Sequence, residues 1–373
     1  MTAHPVADFA IIGGGIAGVS AAAHLAPHGS VILFESERSL AFHTTGRSAA
    51  MFVANYGADG SRPLCLASRA FLDDPPEDSA DGPLLSDRGL LWVSDEARFD
   101  RLREIANDGE ALDAGSVLVD RDEVLRLVPK MRPERVAGGL YEPNALDIDV
   151  AALHQAFVRI ARKSGAELRV SSPVTGLARA GRGWRVSTPE GDVHCTAVIN
   201  ASGAWGDLVA GLAGIEPVGL QPMRRTAFMV PGDRSYEGWP FVVDVEQLFY
   251  FRPDGAQVLC SLAEETPSRP LDPRPDMADI ALAIERINEA TTLDIRSVNS
   301  QWTGLRTFAP DREMVIGEEP TASGFYWLVG QGGTGIQTAP AYGALAASQV
   351  LGSRLPPDLS GIDPAVTSPA RFR

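Results

Sequence analysis

Cysteine is scarce in this chain, and what little there is excludes two common uses of the residue. Only three cysteines occur among 373 residues, Cys65, Cys195 and Cys260. They are far apart and form no Cys-x-x-Cys pair, which excludes a disulfide framework and a cysteine zinc site. No cluster of histidines and carboxylates with metal-ligand spacing is present either, so no metal is expected. Cys260 is interpreted as a small apolar strand residue rather than a covalent anchor for a cofactor.

Positive charge and long apolar runs are also lacking. The net charge is −15 and no lysine or arginine run interrupts it, so a nucleic-acid partner is not expected. No apolar stretch reaches the ~18 to 20 uncharged residues of a membrane span, so stable membrane insertion is not expected. Residues 6–26 have no basic leader and contain Asp8 and a glycine motif. They therefore belong to the fold, and a cytoplasmic location is expected.

A glycine motif near the start predicts a dinucleotide-binding turn. An apolar strand from Asp8 runs into Gly13-x-Gly15-x-x-Gly18, then into an alanine-rich helix, and a second strand ends at Glu35. The glycines permit a tight turn and a close approach to a pyrophosphate, which the helix N-terminus attracts. Glu35 is placed to accept hydrogen bonds from a ribose 2′-hydroxyl, which favours FAD or NAD over NADP.

A second glycine segment lies more than 300 residues later. The strand-like run from Gly324 leads into Gly330-Gln-Gly-Gly-Thr-Gly-Ile-Gln337, and a helix is predicted over Ala339–Leu351. An NAD enzyme needs one such turn. The longer FAD develops negative charge on its ring when reduced, and a second helix N-terminus would stabilise that charge, so the pair of segments favours FAD.

The remaining patterns predict alternating helices and strands in what is expected to be a two-domain chain. Asp149 is predicted to cap a helix that ends at Gly165, and a four-strand meander is predicted from Glu167 to Ile199. Strands are expected over 222–260 and a helix over 277–293. The Asp- and Pro-rich segment 71–89 is predicted to be a loop, either a plain surface connection or a lid.

Several motifs in the same order resemble the D-amino acid oxidase superfamily of FAD-dependent oxidoreductases. Besides the glycine segments they are Phe42-His-Thr-Thr-Gly-Arg-Ser-Ala-Ala50, Asn200-Ala-Ser-Gly-Ala-Trp205, and Gly304-Leu-Arg306 followed by Pro310-Asp311. Within this superfamily the run after His43, with Gly219 to Arg225 and Trp302 to Arg306, is most similar to bacterial D-arginine dehydrogenase and its D-amino acid dehydrogenase relatives.

The resemblance implies an α/β fold with a discontinuous Rossmann-like FAD domain and an inserted α+β substrate domain containing an antiparallel sheet. The FAD domain would comprise residues 1–79, 147–218 and 308–373, and the substrate domain residues 80–146 and 219–307. The implied reaction passes hydride from Cα of an amino acid to N5 of a non-covalently bound flavin, giving an imino acid that water hydrolyses to the 2-oxo acid and ammonia. Oxygen or a quinone would then reoxidise the flavin. Such a transfer depends on orientation more than on acid–base groups.

The resemblance also implies the roles of individual residues. Arg306 matches the arginine that holds the substrate carboxylate, and Arg225, Tyr250 and Tyr56 match further residues of that site, although Arg224 competes with Arg225 and Tyr250 could belong to the core. Gln337 could bond flavin or substrate amine, or cap its own helix. The residues expected to bind the cofactor are Gly13, Gly15, Ile16, Ala17, Gly18, Glu35, Ser36, His43, Thr44, Thr45, Arg47, Ser48, Ala49, Ala50, Val174, Ala201, Gly203, Trp205, Gly304, Arg306, Gly332, Gly333, Thr334, Gly335, Ile336 and Gln337.

Three departures from D-arginine dehydrogenase bear on the substrate. The acid that reads a guanidinium there is matched by Leu90, and a histidine and a threonine are matched by Met51 and Val53. An apolar pocket would leave a cationic head unpaired at a cost of several kcal/mol, so uncharged, hydrophobic D-amino acids are expected. A shift of the alignment would bring Asp87 into the site instead. Oxidation of a secondary amine or a 2-hydroxy acid is the alternative reaction, and a non-catalytic flavin-binding module is a third possibility.

Overall fold

The computed structural model describes residues 6–54, 56–111 and 115–373. Residues 1–5, 55 and 112–114, which fall inside the predicted domain ranges, lie outside the described residues. The helices are α1 (Ile16–Leu25), α2 (Ser61–Asp73), α3 (Phe99–Ala111), α4 (Arg121–Leu127), α5 (Val150–Lys163), α6 (Gly206–Leu212), α7 (Met277–Ala290), α8 (Ala339–Leu351) and α9 (Pro364–Thr367).

The first of three sheets is a mixed sheet of eight strands. Its strands are β1 (Val6–Ile12), β2 (Val31–Phe34), β9 (Glu167–Arg169), β10 (Gly176–Ala180), β11 (Gly183–Thr188), β12 (Gly191–Asn200), β19 (Val315–Glu318) and β20 (Phe325–Val329). Strand β1 lies between β2 and β12, and β20 pairs with β12, all in parallel. Helices α1, α5 and α8 pack together in one apolar core against this sheet. This parallel centre is the Rossmann-like arrangement expected from the sequence.

The second sheet has nine strands among the described residues, and all of its residues except Phe308 belong to the predicted substrate domain. They are β5 (Leu90–Ser94), β6 (Val117–Asp120), β7 (Gly138–Glu142), β13 (Gln221–Pro231), β14 (Phe241–Asp244), β15 (Tyr250–Asp254), β16 (Gln257–Ser261), β17 (Thr266–Pro267) and β18 (Ser300–Phe308). The sheet is antiparallel except where β5 and β14 run parallel. The sequence predicted an antiparallel sheet here, and this pair is the exception to it.

A third sheet of three short strands connects the two regions. It contains β3 (Met51–Phe52), β4 (Leu85–Asp87) and β8 (Leu146–Ile148). Its strands come from both sides of the boundaries proposed at residues 79 and 146. The domain boundaries therefore stay a prediction, although the two large sheets divide the chain along similar lines.

Local sequence signals explain several elements. The Asp149 carboxylate accepts the N–H of Ala152 at 2.8 Å and caps α5, and Gly165 at its other end has φ +88°.

Two predictions of secondary structure were wrong. The segment from 167 to 169 pairs with β2 instead of joining the meander, because its parallel partner lies far away in sequence. The predicted loop over 71–89 begins inside α2 and includes β4.

Candidate functional site

A continuous cavity runs from the carboxyl ends of β1 and β2 to the face of the nine-stranded sheet. Strands β1, β12 and β20 all end at this edge, and each is followed by a segment of small residues that begins at Gly13, Ala201 or Gly330. Ligands of open α/β sheets bind in this position, outside the carboxyl ends of the strands. A Cβ on Gly13 would lie 2.5 Å from the carbonyl oxygen of Ala201, so the first two segments are in close contact.

The cavity brings together almost all the residues that the sequence singled out. Of the expected cofactor residues, only Gly18 and Thr334 are not among the described residues that line it. Gly18 instead packs helix against strand, because a Cβ there would meet the carbonyl oxygen of Gly13 at 1.8 Å. Thr334 is buried in the second glycine turn, where its hydroxyl donates to the Gln331 carbonyl at 3.1 Å. Both positions serve the shape of a turn.

At one end of the cavity the first glycine turn is fixed by Glu35. Its carboxylate accepts the N–H of Gly14 at 2.7 Å and that of Glu37 at 2.8 Å. Each carboxylate oxygen has further acceptor capacity, which suits the hydroxyls of a ribose.

The N-cap residue of helix α1, Gly15, has no side chain, but the N–H of Ile16 donates to the Thr45 hydroxyl at 3.0 Å. Ile16 and Ala17, in the first turn, line the cavity. The other N–H groups of this turn are suited to hold phosphate.

The segment after the second strand forms one wall. His43 lies against the Trp205 ring at 4.7 Å between centroids, its Nε2 is 2.9 Å from Glu37, and its buried Nδ1 has no hydrogen-bond partner. Arg47 also connects this wall to other segments, because it donates to the Thr303 carbonyl at 2.8 Å and forms an ion pair with Asp272 at 2.7 Å. His43 thus forms part of the cavity wall, and its contact with a cofactor stays a prediction.

The second glycine segment forms the opposite wall. A Cβ on Gly333 would lie 3.0 Å from the Tyr56 hydroxyl and 3.1 Å from Arg306, so glycine allows the backbone to pass beneath both side chains. The Gln337 side chain accepts the N–H of Val53 at 2.9 Å and donates to the Tyr56 carbonyl at 3.3 Å. Gln337 therefore positions the chain that carries Tyr56. It makes no capping hydrogen bond to its own helix, which corrects that alternative.

Two arginines lie at the far end of the cavity. Arg306 on β18 is 3.3 Å from the Tyr56 hydroxyl and forms no ion pair within residues 6–54, 56–111 and 115–373. Arg225 on β13 is more occupied, since it donates to the Glu264 carbonyl at 2.8 Å and lies 3.5 Å from Glu265. Burial, and then the charge of Arg306, lower the pKa of Arg225.

This pair of guanidinium groups favours a bound anion. Arg306 in particular has no ion pair with a carboxylate among the residues that the structure describes, and arginine's planar fork matches a carboxylate bidentately. The neighbouring Arg224 does not line the cavity, and its side chain donates to the Arg274 carbonyl at 2.7 Å. The structure therefore puts Arg225, rather than Arg224, beside the site. Tyr250 is 6% exposed and lines the same end.

The floor beyond the arginines is apolar. It is formed by one face of the nine-stranded sheet, where Trp92 is opposite Val243 and Leu90 is opposite Phe241, with Tyr250 next to Val243. Met51 and Val53 close the other side, and all of these side chains line the cavity. Asp87 is exposed and does not line it, so Leu90 occupies the position considered for an acid.

Some of these residues had no sequence prediction. Trp92 follows Leu90 by two positions, and alternation along the strand was the signal that could have found it. Phe241 and Val243 lie on a strand whose partner is about 150 residues away, and no local pattern identifies that pairing.

The part of the cavity between Glu35 and Arg306 fits FAD. The lining is continuous over that span, and two of its residues, His43 and Thr307, have buried polar atoms without partners. Glu35 would hold a ribose, the first turn of α1 the phosphates, and the segments 43–50 and 331–337 the ring. Cys260 does not line the cavity and lies fully buried in β16, where burial raises its pKa. This agrees with a cofactor that is not attached through Cys260.

The described residues also bear on metal binding and on membrane insertion. Among the described residues, no group of three or more histidine, cysteine, aspartate or glutamate side chains could hold a metal ion. Within the same residues, no helix has both the length and the apolar character required to cross a bilayer. The expected cytoplasmic location stays a prediction.

Comparison with protein families gives one match across most of the chain. The family described as DAO, FAD dependent oxidoreductase, matches residues 8–349. Human mitochondrial sarcosine dehydrogenase is 24% identical over 96% of this chain, which spans 41% of that protein's length. Human mitochondrial dimethylglycine dehydrogenase is 25% identical with similar coverage, so the chain spans less than half of these relatives.

Other similar proteins match this chain along most of their own length. Glycine oxidase from Geobacillus kaustophilus is 23% identical over 92% of both chains. Its crystal structure superposes with a TM-score of 0.86 and covers 98% of each chain. The structure of L-proline dehydrogenase from P. horikoshii superposes with a TM-score of 0.85, at 20% identity, over 99% of this chain and 98% of that one. These structural similarities show the fold.

Proposed function

The chain belongs to the DAO family of FAD-dependent oxidoreductases, and from this premise we propose that it oxidises D-amino acids with uncharged, hydrophobic side chains. The products would be the imino acid and, after hydrolysis, the 2-oxo acid and ammonia. One observation carries the proposal. The Arg306 guanidinium, without a carboxylate partner in the part of the chain described, lies beside an apolar pocket in the cofactor cavity.

Each part of an amino acid has a counterpart among these residues. Arg306 would bind the carboxylate, with the hydroxyls of Tyr56 and Tyr250 near it. The pocket lined by Leu90, Trp92 and Phe241 would take the side chain. Bound FAD would supply the acceptor for the two electrons of the Cα–H bond, which leave as hydride while the carbon–nitrogen single bond becomes a double bond. The protein contributes orientation and the exclusion of water from an apolar cavity.

Proton transfer makes little demand on the side chains of this site. The only histidine and carboxylates in the described lining are His43, Glu35 and Glu37, and they belong to the cofactor end. A substrate whose amine is already neutral needs no base from the protein. The preference for the D configuration is supported by the resemblance in sequence.

A second candidate is oxidation of glycine or an N-methylated amine. The relatives named glycine oxidase and sarcosine dehydrogenase favour it. The apolar pocket favours a substrate with a side chain, because a hydrogen atom at Cα would leave Leu90, Trp92 and Phe241 without contacts. The carboxylate of a 2-hydroxy acid could also bind Arg306, so 2-hydroxy acids are included among the substrates to be tested.

An anaerobic titration distinguishes these substrates through bleaching of the yellow flavin absorbance. We expect D-methionine and D-phenylalanine to reduce the enzyme at least about 100-fold more efficiently than D-arginine, because an unpaired cation in the pocket costs several kcal/mol. The L enantiomers serve as matched controls. Faster reduction by D-arginine would refute the pocket assignment. Reduction by sarcosine, glycine or a 2-hydroxy acid but by no D-amino acid would establish the alternative.

A further inference from the structure

A buried carboxylate lies directly behind the wall of the substrate pocket. Glu142, near the end of β7, is 2% exposed and does not line the cavity. It is opposite Leu90 in the pairing of β7 with β5, and its Oε1 accepts the indole N–H of Trp92 at 2.9 Å. Both Leu90 and Trp92 do line the cavity. The carboxylate is therefore one residue removed from any substrate.

The burial of the Glu142 carboxylate among apolar side chains requires a physical explanation. Burial raises the pKa of Glu142, which shows that the surroundings disfavour its charge. Its neighbours Leu90, Leu140 and Trp92 belong to one apolar cluster. A leucine or methionine would fill such a place at lower cost, because a buried acid loses its hydration. What Glu142 offers and an apolar residue does not is an acceptor for the indole.

The indole has a single donor, and that donor fixes its orientation. A buried tryptophan N–H finds a partner where one is available, and Trp92 is 7% exposed. With the N–H directed at Glu142, the ring forms part of the floor beside Val243 and Leu90. If Glu142 no longer accepted this hydrogen bond, the Trp92 ring would rotate to direct its N–H toward the cavity, or would move into the cavity. Either change would reduce the room or the apolar character of the pocket.

We propose that Glu142 is a positioning residue that determines side-chain selectivity by holding Trp92 in the pocket wall. The inference rests on the proposed function, because it concerns the pocket for the substrate side chain. It predicts that losing the acceptor penalises large apolar substrates and leaves small ones nearly unaffected, since D-alanine barely reaches the wall.

The test measures kcat/KM for D-phenylalanine and for D-alanine in the purified holoenzyme. We expect Glu142→Met to lower the ratio of kcat/KM for D-phenylalanine to kcat/KM for D-alanine roughly tenfold. The loss should come from a higher KM for D-phenylalanine. Glu142→Gln keeps an oxygen acceptor and should keep the ratio within about twofold of wild type. In a Trp92→Phe background, Glu142→Met should cause no further change, because the N–H through which it acts is gone.

Glu319 offers a matched control. It is 1% exposed and accepts the N–H of Trp327 at 3.0 Å, but neither residue lines the cavity. Glu319→Gln should leave the substrate ratio at its wild-type value. A loss of selectivity in this variant as large as in Glu142→Met would mean that any perturbed buried glutamate has the effect, and the proposal would be wrong.

A binding measurement separates this inference from the proposed function. Benzoate and acetate carry the same carboxylate with and without an apolar ring, and neither has an amine to oxidise. Glu142→Met should raise the Kd of benzoate relative to that of acetate by roughly tenfold, whether or not D-amino acids are the substrates. If wild type oxidises no amino acid, the proposed function fails and these Kd values still test Glu142.

An unchanged benzoate-to-acetate ratio and an unchanged substrate ratio in Glu142→Met would overturn the inference. If that variant does not accumulate as folded holoenzyme, Glu142→Asp replaces it, because the shorter side chain withdraws the oxygen acceptor from the indole N–H. The expected result is then a lowered ratio in Glu142→Asp and a preserved ratio in Glu142→Gln. A preserved ratio in Glu142→Asp would overturn the proposal.

Discussion

Replacing Arg306 tests the main feature of the site. Arg306→Met removes the charge and keeps an unbranched side chain, and Arg306→Lys keeps the charge as a single point. Two hydrogen bonds from a guanidinium to a carboxylate contribute about 1.5 to 3 kcal/mol each. Their loss corresponds to about 10²- to 10⁴-fold in kcat/KM. The lysine variant retains one of them and should lose about 10- to 100-fold.

Anaerobic stopped-flow measurement of flavin bleaching gives both the apparent Kd and the reduction rate. We expect the Kd for D-methionine to rise in both variants, and the flavin content to stay at the wild-type level. Arg224→Met is the matched control, because Arg224 lies on the neighbouring strand and does not line the cavity. If Arg306→Met keeps kcat/KM within about fivefold of wild type, the substrate carboxylate is bound elsewhere, and Arg225 becomes its anchor.

Two further predictions concern the cofactor and the stability of the fold. Gly18→Ala would place a methyl carbon 1.8 Å from the Gly13 carbonyl oxygen, so we expect protein that purifies with little flavin absorbance, whereas Gly211→Ala, which meets nothing within 4 Å, should stay yellow. Burial lowers the pKa of His24 to about 4 from its usual 6.5, and its Nε2 has no partner. The unfolded state therefore binds the proton first, and up to about 3 kcal/mol of stability is lost as pH falls from about 6.5 to 4. Urea denaturation should show a shallower loss in His24→Gln than in wild type or in His28→Gln, and equal slopes would contradict the assignment.

The strand, glycine turn and helix at one end of the cavity could be predicted because their signals are local. A strand, a glycine turn and a helix follow one another within Val6–Leu25, and the residues required for the turn are neighbours in sequence. The same holds for the cap at Asp149 and for the turn before α8. In each case the backbone conformation depends on a few adjacent residues.

The arginine end of the cavity depends on strand pairings that no local pattern contains. Alternation along β13 does not indicate whether Arg224 or Arg225 faces the cavity. The pairing with β18, in which Gly304 is opposite Arg225, distinguishes them. The floor of the pocket required the parallel pairing of β5 with β14, which joins Leu90 to Phe241. The contacts of Gln337 with the chain at Val53 and Tyr56 are likewise tertiary, and the sequence left three uses of that side chain open.

The central order of the first sheet, with β12 between β1 and β20, has a consequence for biosynthesis. The turn at Gly13 is translated before β20 and α8, which lie more than 300 residues later in the sequence and complete its surroundings. A cavity that lacks one of its two glycine segments has fewer groups to bind a cofactor, so we expect the flavin to bind only after α8 has been translated. Binding of the flavin would then stabilise the β1–α1 and β20–α8 segments together, as one cooperative unit.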